Sequence, residues 1–253
     1  VGLSTTTTTT ALRYFSAEEQ FKLYPPAPHL QGDVVSLSCR TKQRIVSFGD
    51  VHGDIAALQK FLMAAKVVDE KLNWCGDDTL LIQCGDILDR GDQELACFYL
   101  LCKLSKQAAE AGGGVVILYG NHEALNSVGL FQYAFPGGNL EFENVIGKNI
   151  DKYVGNNRWR IQFANNQPSR WAAFEPGGLL AESMLKNMKA AIVVGRTCFV
   201  HAGMTAKHVK DFGGVAGMNR AAEEWITKVH HGENNHTGEF SSVEEVLEFA
   251  NNR

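Results

Sequence analysis

The sequence contains no run of about 18 or more apolar residues, so we expect no helix that spans a membrane. It also lacks an excess of positive charge, because 24 Lys and Arg residues face 28 Asp and Glu residues for a net charge of −4. This balance argues against a general nucleic-acid-binding protein. With 253 residues, 45% of them hydrophobic, the chain is neither collagen-like, mucin-like nor fully disordered in composition, and it can bury a core without disulfide bonds.

No two of the six cysteines form a Cys-x-x-Cys pair, and their scattered spacing does not suggest a disulfide framework. Three of them, Cys84, Cys97 and Cys198, lie in apolar runs, where a free cysteine behaves as a small hydrophobic residue. We therefore expect buried free thiols in a reducing compartment, and we do not expect a secreted protein. The remaining three are Cys39, Cys75 and Cys102.

Residues 1–43 lack a sustained apolar period, and we interpret them as a disordered leader. Six consecutive threonines occupy residues 5–10, and a polar stretch with three closely spaced prolines follows. Residues 1–17 contain Arg13 and no acidic residue, a composition that resembles the remnant of an organellar transit peptide. A flexible tail without a targeting role is the alternative.

From Arg44 onward, short apolar runs rich in β-branched residues and bounded by glycine predict buried strands. Helical patterns separate the runs and predict helices at Ile55–Val68, with Asp54 as N-cap, and at Glu94–Ala111. Alternating strands and helices indicate an α/β layered fold with parallel strand pairs. The predicted strands are Ile45–Phe48, Leu80–Cys84, Val115–Tyr119, Ala191–Val194 and Cys198–Val200.

The middle of the chain, residues 126–189, is less regular, and we interpret it as an insertion or cap over the site. It contains a possible helix at Leu179–Lys189. Near the end, a capping-box pattern predicts a helix at Val243–Ala250.

Polar motifs follow the predicted strands at the points where the strands end. In open α/β sheets, ligands bind outside the carboxyl ends of the strands, so these motifs are expected to converge. A glycine beside each polar residue allows a sharp turn and a close approach of the backbone to a ligand. The motifs are Gly49-Asp50-Val51-His52-Gly53-Asp54, Gly85-Asp86-Ile87-Leu88-Asp89-Arg90-Gly91, Gly120-Asn121-His122-Glu123 and His201-Ala202-Gly203.

Five of these side chains offer oxygen or imidazole nitrogen and no thiolate: Asp50, His52, Asp86, Asn121 and His201. Such a mixture suits Mn²⁺, Fe or Zn²⁺ better than Ca²⁺. Five ligands are too many for one tetrahedral ion but suit two ions that share a carboxylate, for which Asp86 is the candidate. Two ions about 3.5–4 Å apart can ionise a shared water and hold the oxygens of a phosphoryl transfer.

The remaining motif residues match the other needs of that reaction. Arg90 can bind a phosphate oxygen bidentately, and His122 can protonate the leaving oxygen as a general acid. Asp89 can orient His122 and stabilise its charge. For Glu123 we favour a structural role, as a hydrogen-bond partner of the backbone at the strand ends, over a catalytic one.

Together, the four motifs resemble those of the calcineurin-like metallophosphoesterases and, more closely, of the phosphoprotein phosphatase family. Their order and spacing over residues 44–225 are most similar to Shewanella-like protein phosphatases, especially the plastid type. The resemblance implies a layered α/β/β/α sandwich with the site at the carboxyl ends of the strands. It also implies a first metal on Asp50, His52 and Asp86, a second on Asp86, Asn121 and His201, His122 with Asp89 as proton donor, and Arg90 and Asn121 as ligands of the substrate phosphate.

The activity that the resemblance implies is hydrolysis of phosphomonoesters on serine and threonine or on tyrosine of a phosphoprotein. A hydroxide that bridges two Mn²⁺ ions, or an Fe and Zn pair, would attack phosphorus without a phosphoenzyme intermediate. The plastid-type resemblance and the leader favour a chloroplast location, with the cytoplasm as the alternative.

One expected ligand is missing from the sequence. The family completes its second metal with a histidine in a later Gly-His-Thr motif, whereas His236 before Thr237 has no apolar strand leading into it. We therefore expect residues 44–253 to be a metallophosphoesterase domain shortened at its C-terminus. Two alternatives remain: a dinucleoside polyphosphate or other small-molecule phosphoesterase, and an inactive truncated phosphate-binding module.

Overall fold

A computed structural model describes residues 21–35, 43–146, 167–175 and 177–228. Residues 1–20, Cys39, His236 and the predicted helix Val243–Ala250 lie outside the described residues. Within the described ranges, none of the helices is long and apolar enough to cross a membrane.

Three parallel strands form the sheet that carries most of the site motifs. They are β2 (Ile45–Phe48), β3 (Leu80–Gln83) and β4 (Gly114–Ile117), with β3 in the middle. Every residue of β3 and β4 is buried, as expected for apolar strands covered on both faces. The predicted strands are confirmed here to within two residues at each end.

The second sheet contains β1 (Val34–Val35), β5 (Ala191–Val194) and β6 (Thr197–Val200). β1 runs parallel to β5, but β5 and β6 are antiparallel, so the expectation of parallel pairs is wrong for this last pair. Only Gly195 and Arg196 separate β5 from β6, and two residues are enough for a hairpin but too few for a parallel crossover. Gly195 has a φ of 62°, a value that glycine adopts readily.

The two sheets pack face to face, and helices cover the other face of the β2–β3–β4 sheet. Leu80 and Ile82 of β3 share a core cluster with Ile192 and Val194 of β5. Leu81, between them, points to the opposite face and belongs to the larger cluster that includes the helices. This alternation along β3 gives a layered α/β arrangement, and the predicted fold class is confirmed.

Helix α1 (Ile55–Ala64) starts at the predicted cap, because the carboxylate of Asp54 accepts a hydrogen bond of 2.8 Å from the amide of Ala57. The predicted end at Val68 is wrong. Lys66 adopts a φ of 54° and ends the helical path, and Val68 instead pairs with Trp74 in an isolated bridge. The apolar pattern continued past the helix because Val67 and Val68 are core residues of the following loop.

The described residues contain seven helices besides α1. The next along the chain, α2 (Glu94–Glu110), matches its prediction to within one residue. The predicted helix Leu179–Lys189 is interrupted, because the helix that starts there, α6 (Leu179–Ser183), is followed by a 3₁₀ turn at Leu185–Asn187. A second 3₁₀ turn occupies Pro28–Leu30. The remaining helices are α3 (Asn121–Ser127), α4 (Pro136–Ile146), α5 (Pro168–Phe174), α7 (Ala206–Phe212) and α8 (Val215–Lys228).

The described parts of the irregular middle segment belong to the main core rather than to a separate cap. Phe142 of α4 and Phe174 of α5 are fully buried, with ring centroids 5.5 Å apart. Leu180 and Met184 join the same cluster as the central strand residues. These residues are therefore core rather than cap, while residues 147–166 of the segment lie outside the described residues.

Residues 21–35 lie within the stretch for which we expected disorder, but the structure packs them onto the domain. Phe21 is 2% exposed and stacks on Phe98 of α2, with ring centroids 6.0 Å apart. The amide of Ala27 donates to Gly113, and β1 pairs with β5. The apolar residues of this segment are interspersed with prolines and form no helical or strand period. The sequence pattern therefore did not predict that the segment is ordered.

The five described cysteines are free thiols, as expected. Cys97 and Cys102 are buried, whereas Cys75 and Cys198 are exposed, so burial was wrongly expected for those two. In β6, Phe199 packs into the core between the sheets, and the alternation of side chains along a strand turns its neighbour Cys198 outward.

Candidate metal centre

The loops that follow β2, β3, β4 and β6 meet at one edge of the sheets. Val51 and His52 both donate backbone hydrogen bonds to the carbonyl oxygen of Asp86, at 2.9 and 3.0 Å. From the other sheet, His201 donates through Nδ1 to the carbonyl oxygen of Cys84 at 2.6 Å. The predicted convergence of the motifs is therefore found in the structure.

Two motif glycines permit this close packing of loops. A Cβ atom at Gly120 would overlap the carboxylate of Asp86, and one at Gly91 would overlap the carbonyl oxygen of His52. Gly49 differs, since a Cβ atom there would meet no atom within 4 Å, and the close-approach argument does not hold at that position.

Asp86 occupies the centre of the cluster and is 3% exposed. Its Oδ1 accepts a hydrogen bond of 3.0 Å from the amide of His122. Its Oδ2 lies 3.3 Å from Nε2 of His201 and 3.8 Å from Nε2 of His52. Asp86 is therefore the carboxylate placed between imidazoles on two sides, as a shared ligand requires.

Two groups of side chains bring ligand atoms within 4.8 Å of one another, and Asp86 belongs to both. One contains Asp50 and His201, and the other contains His52 and His122. In addition, Oδ1 of Asn121 lies 3.1 Å from Nε2 of His201. All five predicted ligands thus lie in one place, although the two groups divide them differently from the predicted assignment.

The three histidines share one orientation. Nδ1 of His52 donates to the carbonyl oxygen of Leu88 at 2.8 Å, as Nδ1 of His201 does to Cys84. Nδ1 of His122 donates to Oδ2 of Asp89 at 2.7 Å. With Nδ1 occupied, each ring presents Nε2 to the cluster, which is the arrangement that orients metal-binding histidines.

Asp86 and His201 shift each other's pKa. Burial raises the pKa of Asp86, hydrogen bonds from His201 and the His122 amide lower it, and the net pKa lies below its usual value. Burial lowers the pKa of His201 and its hydrogen bond to Asp86 raises it. The resulting pKa of His201 lies above the usual value. Carboxylate and imidazole donors with no thiol among them fit divalent ions such as Mn²⁺, Fe²⁺ or Zn²⁺.

Glu123 holds the main chain of this site, as predicted. Its fully buried carboxylate accepts hydrogen bonds from the amides of Asp86, Ile87, Leu88 and Gly120, at 2.8 to 3.2 Å. Burial and the nearby charge of Asp86 raise its pKa to about 7. Glu123 therefore fixes the loop after β3 against the loop after β4.

Backbone strain is concentrated in these loops. His52, Asp86, Asp89 and Arg90 have positive φ angles of 48°, 59°, 67° and 65°. Such conformations cost non-glycine residues on the order of 1–3 kcal/mol each and persist where the surroundings impose them, most often at functional sites.

Arg90 lies at the mouth of the site. Its Nη1 and Nη2 lie 3.0 and 3.1 Å from Nε2 of His52 and of His122, respectively. Its amide donates to the carbonyl oxygen of Tyr133, whose ring contacts the ring of His122 edge-on at 5.2 Å. The guanidinium is exposed and close to both histidines, as a phosphate ligand should be.

No motif in the sequence marks the residues that lie behind Asp89. Arg170 and Glu94 form a fully buried ion pair there, and Asn126 bonds to both Asp89 and Arg170. The one sequence feature that could have indicated Arg170 is its charge at the start of the otherwise apolar stretch Arg170–Phe174. Tyr133 was missed as well, and no pattern in the sequence marks it.

The described histidines outside the motifs do not join the cluster. His208 shares hydrogen bonds with Thr205 at the start of α7, and His29 lies in the Pro28–Leu30 turn.

Comparison with known proteins agrees with the geometry. The family model for calcineurin-like phosphoesterases matches residues 43–253. Shewanella-like protein phosphatase 2 of Arabidopsis thaliana is 31% identical over 222 residues, which are 80% of this chain and 56% of the relative. Shewanella-like protein phosphatase 1 of Plasmodium berghei is 42% identical over 93 residues, which are 37% of this chain and 26% of the relative. The chain thus spans little more than half the length of the Arabidopsis relative.

Solved structures support the fold. A cold-active protein tyrosine phosphatase matches with a TM-score of 0.60 and 21% identity, over 93% of this chain and 57% of its own. A structure of the cold-active protein-tyrosine phosphatase of a psychrophilic Shewanella species matches with a TM-score of 0.58 and 19% identity, over 92% and 67%. The predicted family is confirmed by the match of its model to most of the chain: the protein belongs to the calcineurin-like phosphoesterases.

Proposed function

We propose that this protein is a metal-dependent phosphoprotein phosphatase that hydrolyses phosphomonoesters. The observation that carries the proposal is the convergence of three Nε2 atoms and the Arg90 guanidinium around the carboxylate of Asp86. Calcineurin-like phosphoesterases use a dinuclear metal centre, and the candidate ligands are present. Both relatives described above are named as protein phosphatases, which favours a phosphoprotein as substrate over a dinucleoside polyphosphate.

We assign one ion to Asp50, His52 and Asp86, and a second to Asp86, Asn121 and His201, with Mn²⁺ as the proposed metal. Asp86 as the shared ligand is supported by its Oδ2, which lies 3.8 Å from Nε2 of His52 and 3.3 Å from Nε2 of His201. Oδ2 of Asp50 lies 3.5 Å from Nε2 of His52, which supports its place at the first ion, although Asp50 also groups with His201. When bound, the two ions would supply positive charge for the phosphate oxygens and an activated water for attack on phosphorus.

The chain's own groups would bind the phosphate and supply a proton. Arg90 would turn its guanidinium from the two imidazoles to the phosphate oxygens, together with the amide of Asn121. Nε2 of His122, freed by that turn, would protonate the leaving oxygen, while Asp89 holds Nδ1 and stabilises the imidazolium.

Hydrolysis of p-nitrophenyl phosphate by the full chain with added Mn²⁺ tests the proposed activity. On phenyl phosphate, whose leaving group needs a proton, we expect His122→Asn to lower kcat by about 10²–10⁴-fold, the usual contribution of a general acid, with little effect on bound metal. The proposal would be contradicted if the wild-type protein showed no hydrolysis, or if kcat of the His122→Asn variant were unchanged.

Metal analysis separates the enzyme from an inactive phosphate-binding module. We expect two divalent ions per chain by elemental analysis after dialysis, and fewer in Asp86→Asn, because the shared ligand is weakened. One ion or none in the wild type would favour the inactive module.

Phosphopeptides bearing phosphoserine, phosphothreonine or phosphotyrosine, compared with diadenosine tetraphosphate, define the substrate class. Higher kcat/KM for the nucleotide would overturn the phosphoprotein assignment.

We also propose a chloroplast location, which the composition of residues 1–17 supports. Residues 1–20 fused to a fluorescent protein should enter plastids. Purely cytoplasmic fluorescence would favour the alternative.

A further inference from the structure

The proton donor proposed above is held from behind by a buried polar network. The carboxylate of Asp89 is fully buried, and its Oδ2 accepts the Nδ1 proton of His122 at 2.7 Å. Its Oδ1 accepts a hydrogen bond of 2.8 Å from Nη2 of Arg170, and Asn126 Nδ2 lies 3.1 Å from both oxygens. The orientation of the His122 ring therefore depends on groups that lie away from the substrate.

Arg170 is the residue on which this network converges. Its guanidinium is 0% exposed and forms a fork with Glu94, from Nη1 to Oε2 at 2.6 Å and from Nη2 to Oε1 at 2.9 Å. Its Nε donates to Oδ1 of Asn126 at 2.8 Å. One planar group thus joins Asp89, Glu94 and Asn126, which a lysine ammonium could not do with the same geometry.

The ion pair holds Asp89 at two points. Arg170 binds the side chain of Asp89, and Glu94 accepts a hydrogen bond from its backbone amide. Since Asp89 has a positive φ of 67°, its backbone needs such support to keep the side chain aimed at His122.

Three aromatic rings seal the network from water. The guanidinium carbon of Arg170 lies 5.3, 4.7 and 5.7 Å from the ring centroids of Phe131, Phe142 and Phe174. Cation–π contacts fix the plane of the guanidinium, and the dry surroundings strengthen its bonds to the carboxylates. Little freedom is left for Asp89 to rotate.

We propose that Arg170 is a positioning residue for the hydrolysis reaction: it fixes Asp89, and through Asp89 it aims Nε2 of His122 at the leaving oxygen. The proposal rests on the phosphatase function proposed above. It predicts that loss of Arg170 impairs proton donation selectively, and that phosphate binding and metal binding are spared.

Two substrates that differ in their need for a proton test this role. Phenyl phosphate has a poor leaving group that needs protonation, whereas 2,4-dinitrophenolate leaves without a proton. With Mn²⁺, we expect Arg170→Lys and Arg170→Met to lower kcat on phenyl phosphate about 10-fold or more, and on 2,4-dinitrophenyl phosphate less than about 3-fold. Leu104→Ala, a core change ten residues along α2 from Glu94, is the control for general destabilisation and should affect both substrates equally.

Nuclear magnetic resonance provides a readout that does not need activity. In the full chain loaded with diamagnetic Zn²⁺, the Nδ1 proton of His122 should give a slowly exchanging low-field signal, assigned by its loss in His122→Asn. We expect the signal to disappear in both Arg170 variants and to persist in Leu104→Ala.

The two measurements distinguish a positioning role of Arg170 from a purely structural one. Equal losses of kcat on the two substrates, or an intact His122 signal in the Arg170 variants, would overturn the proposal. If Arg170→Met does not fold, Arg170→Lys, which keeps the charge, is decisive. If the wild type hydrolyses neither substrate, the phosphatase function fails, while the resonance still shows whether Arg170 orients His122.

Discussion

At the scale of single residues, the three histidines of the site share one orientation, but their Nδ1 atoms have two different kinds of partner. His52 and His201, which we assign to metals, bond through Nδ1 to main-chain carbonyl oxygens. His122, which we assign to proton transfer, bonds instead to the carboxylate of Asp89. A carbonyl oxygen fixes a ring, whereas a carboxylate also stabilises the positive charge that a proton donor must carry.

Asp89→Asn tests this distinction. The amide keeps the size of the side chain but removes the charge, so we expect kcat on phenyl phosphate to fall by about 10²-fold or more. Metal content should stay at the wild-type level by elemental analysis. Unchanged kcat, or loss of the ions, would show that Asp89 does not act through His122.

Glu123→Gln tests the support of the main chain. A glutamine has one oxygen in place of two and turns its NH₂ group toward backbone N–H donors, so buried donors lose their acceptor. Each unsatisfied donor costs about 1–3 kcal/mol, and we expect a fall of that order in the free energy of unfolding, measured by urea denaturation. Glu110→Gln, at an exposed position of α2, is the matched control. Equal stability of the two variants would contradict the role.

At the scale of elements, the start of α2 depends on a side chain from another helix. Gln93 at the N-cap makes no side-chain hydrogen bond, and Oε2 of Glu141 in α4 accepts from the amide of Leu95 at 3.0 Å. Burial and the nearby charge of Glu94 raise the pKa of Glu141, to about 7, against backbone hydrogen bonds that lower it. The two helices are thus joined through a carboxyl group that titrates near neutral pH.

This link predicts a pH dependence of stability. The raised pKa means that folded protein binds the proton of Glu141 more tightly than unfolded protein does. Its contribution to stability is complete below the unfolded pKa and is lost as pH rises through about 7. Since glutamine cannot ionise, we expect the stability of Glu141→Gln relative to wild type to rise by on the order of 2 kcal/mol between pH 5 and pH 8, whatever constant cost the lost carboxylate oxygen adds at both pH values. Thermal unfolding at both pH values measures the difference, and parallel Tm changes would refute it.

Helices and strands could be predicted from the sequence where the local residue pattern reflects the burial of the element in the fold. β3 and β4 are buried on both faces, so their apolar runs mark them, and motifs after such strands must lie at one edge. β1 has two residues and exists through its pairing with β5, which no local pattern reveals. Arg170 lies 81 positions from Asp89, and its contact depends on how α5 packs.

At the scale of the whole molecule, residues 21–35 join the two sheets to each other and to α2. Asp33 accepts hydrogen bonds of 2.7 Å from Lys189, ahead of β5, and from Asn219 of α8. Burial raises its pKa and these partners lower it, for a net pKa below the usual value. The segment therefore contributes to the folded domain and is more than an appended tail.

Phe21→Ala tests that contribution. Removal of a buried phenyl ring costs about 3–5 kcal/mol, and we expect a decrease in the free energy of unfolding in that range. Chemical denaturation measures it, with Val34→Ala, at a position 60% exposed, as the control. Unchanged stability would mean that this stretch does not stay on the domain.

The ligands of the candidate centre follow strands of both sheets, so different contacts set the ligand spacing of the two proposed ion sites. His52 and Asp86 follow adjacent strands of one sheet, so their spacing is set by main-chain hydrogen bonds within that sheet. His201 follows β6 of the other sheet, and its distance from Asp86 also depends on how the sheets pack at Ile82 and Ile192. A slide between the sheets would have to break the 2.6 Å hydrogen bond from Nδ1 of His201 to the carbonyl oxygen of Cys84, and it would alter the second ion site more than the first. The packing of Ile82 against Ile192 between the sheets would thereby affect the second proposed ion site more than the first.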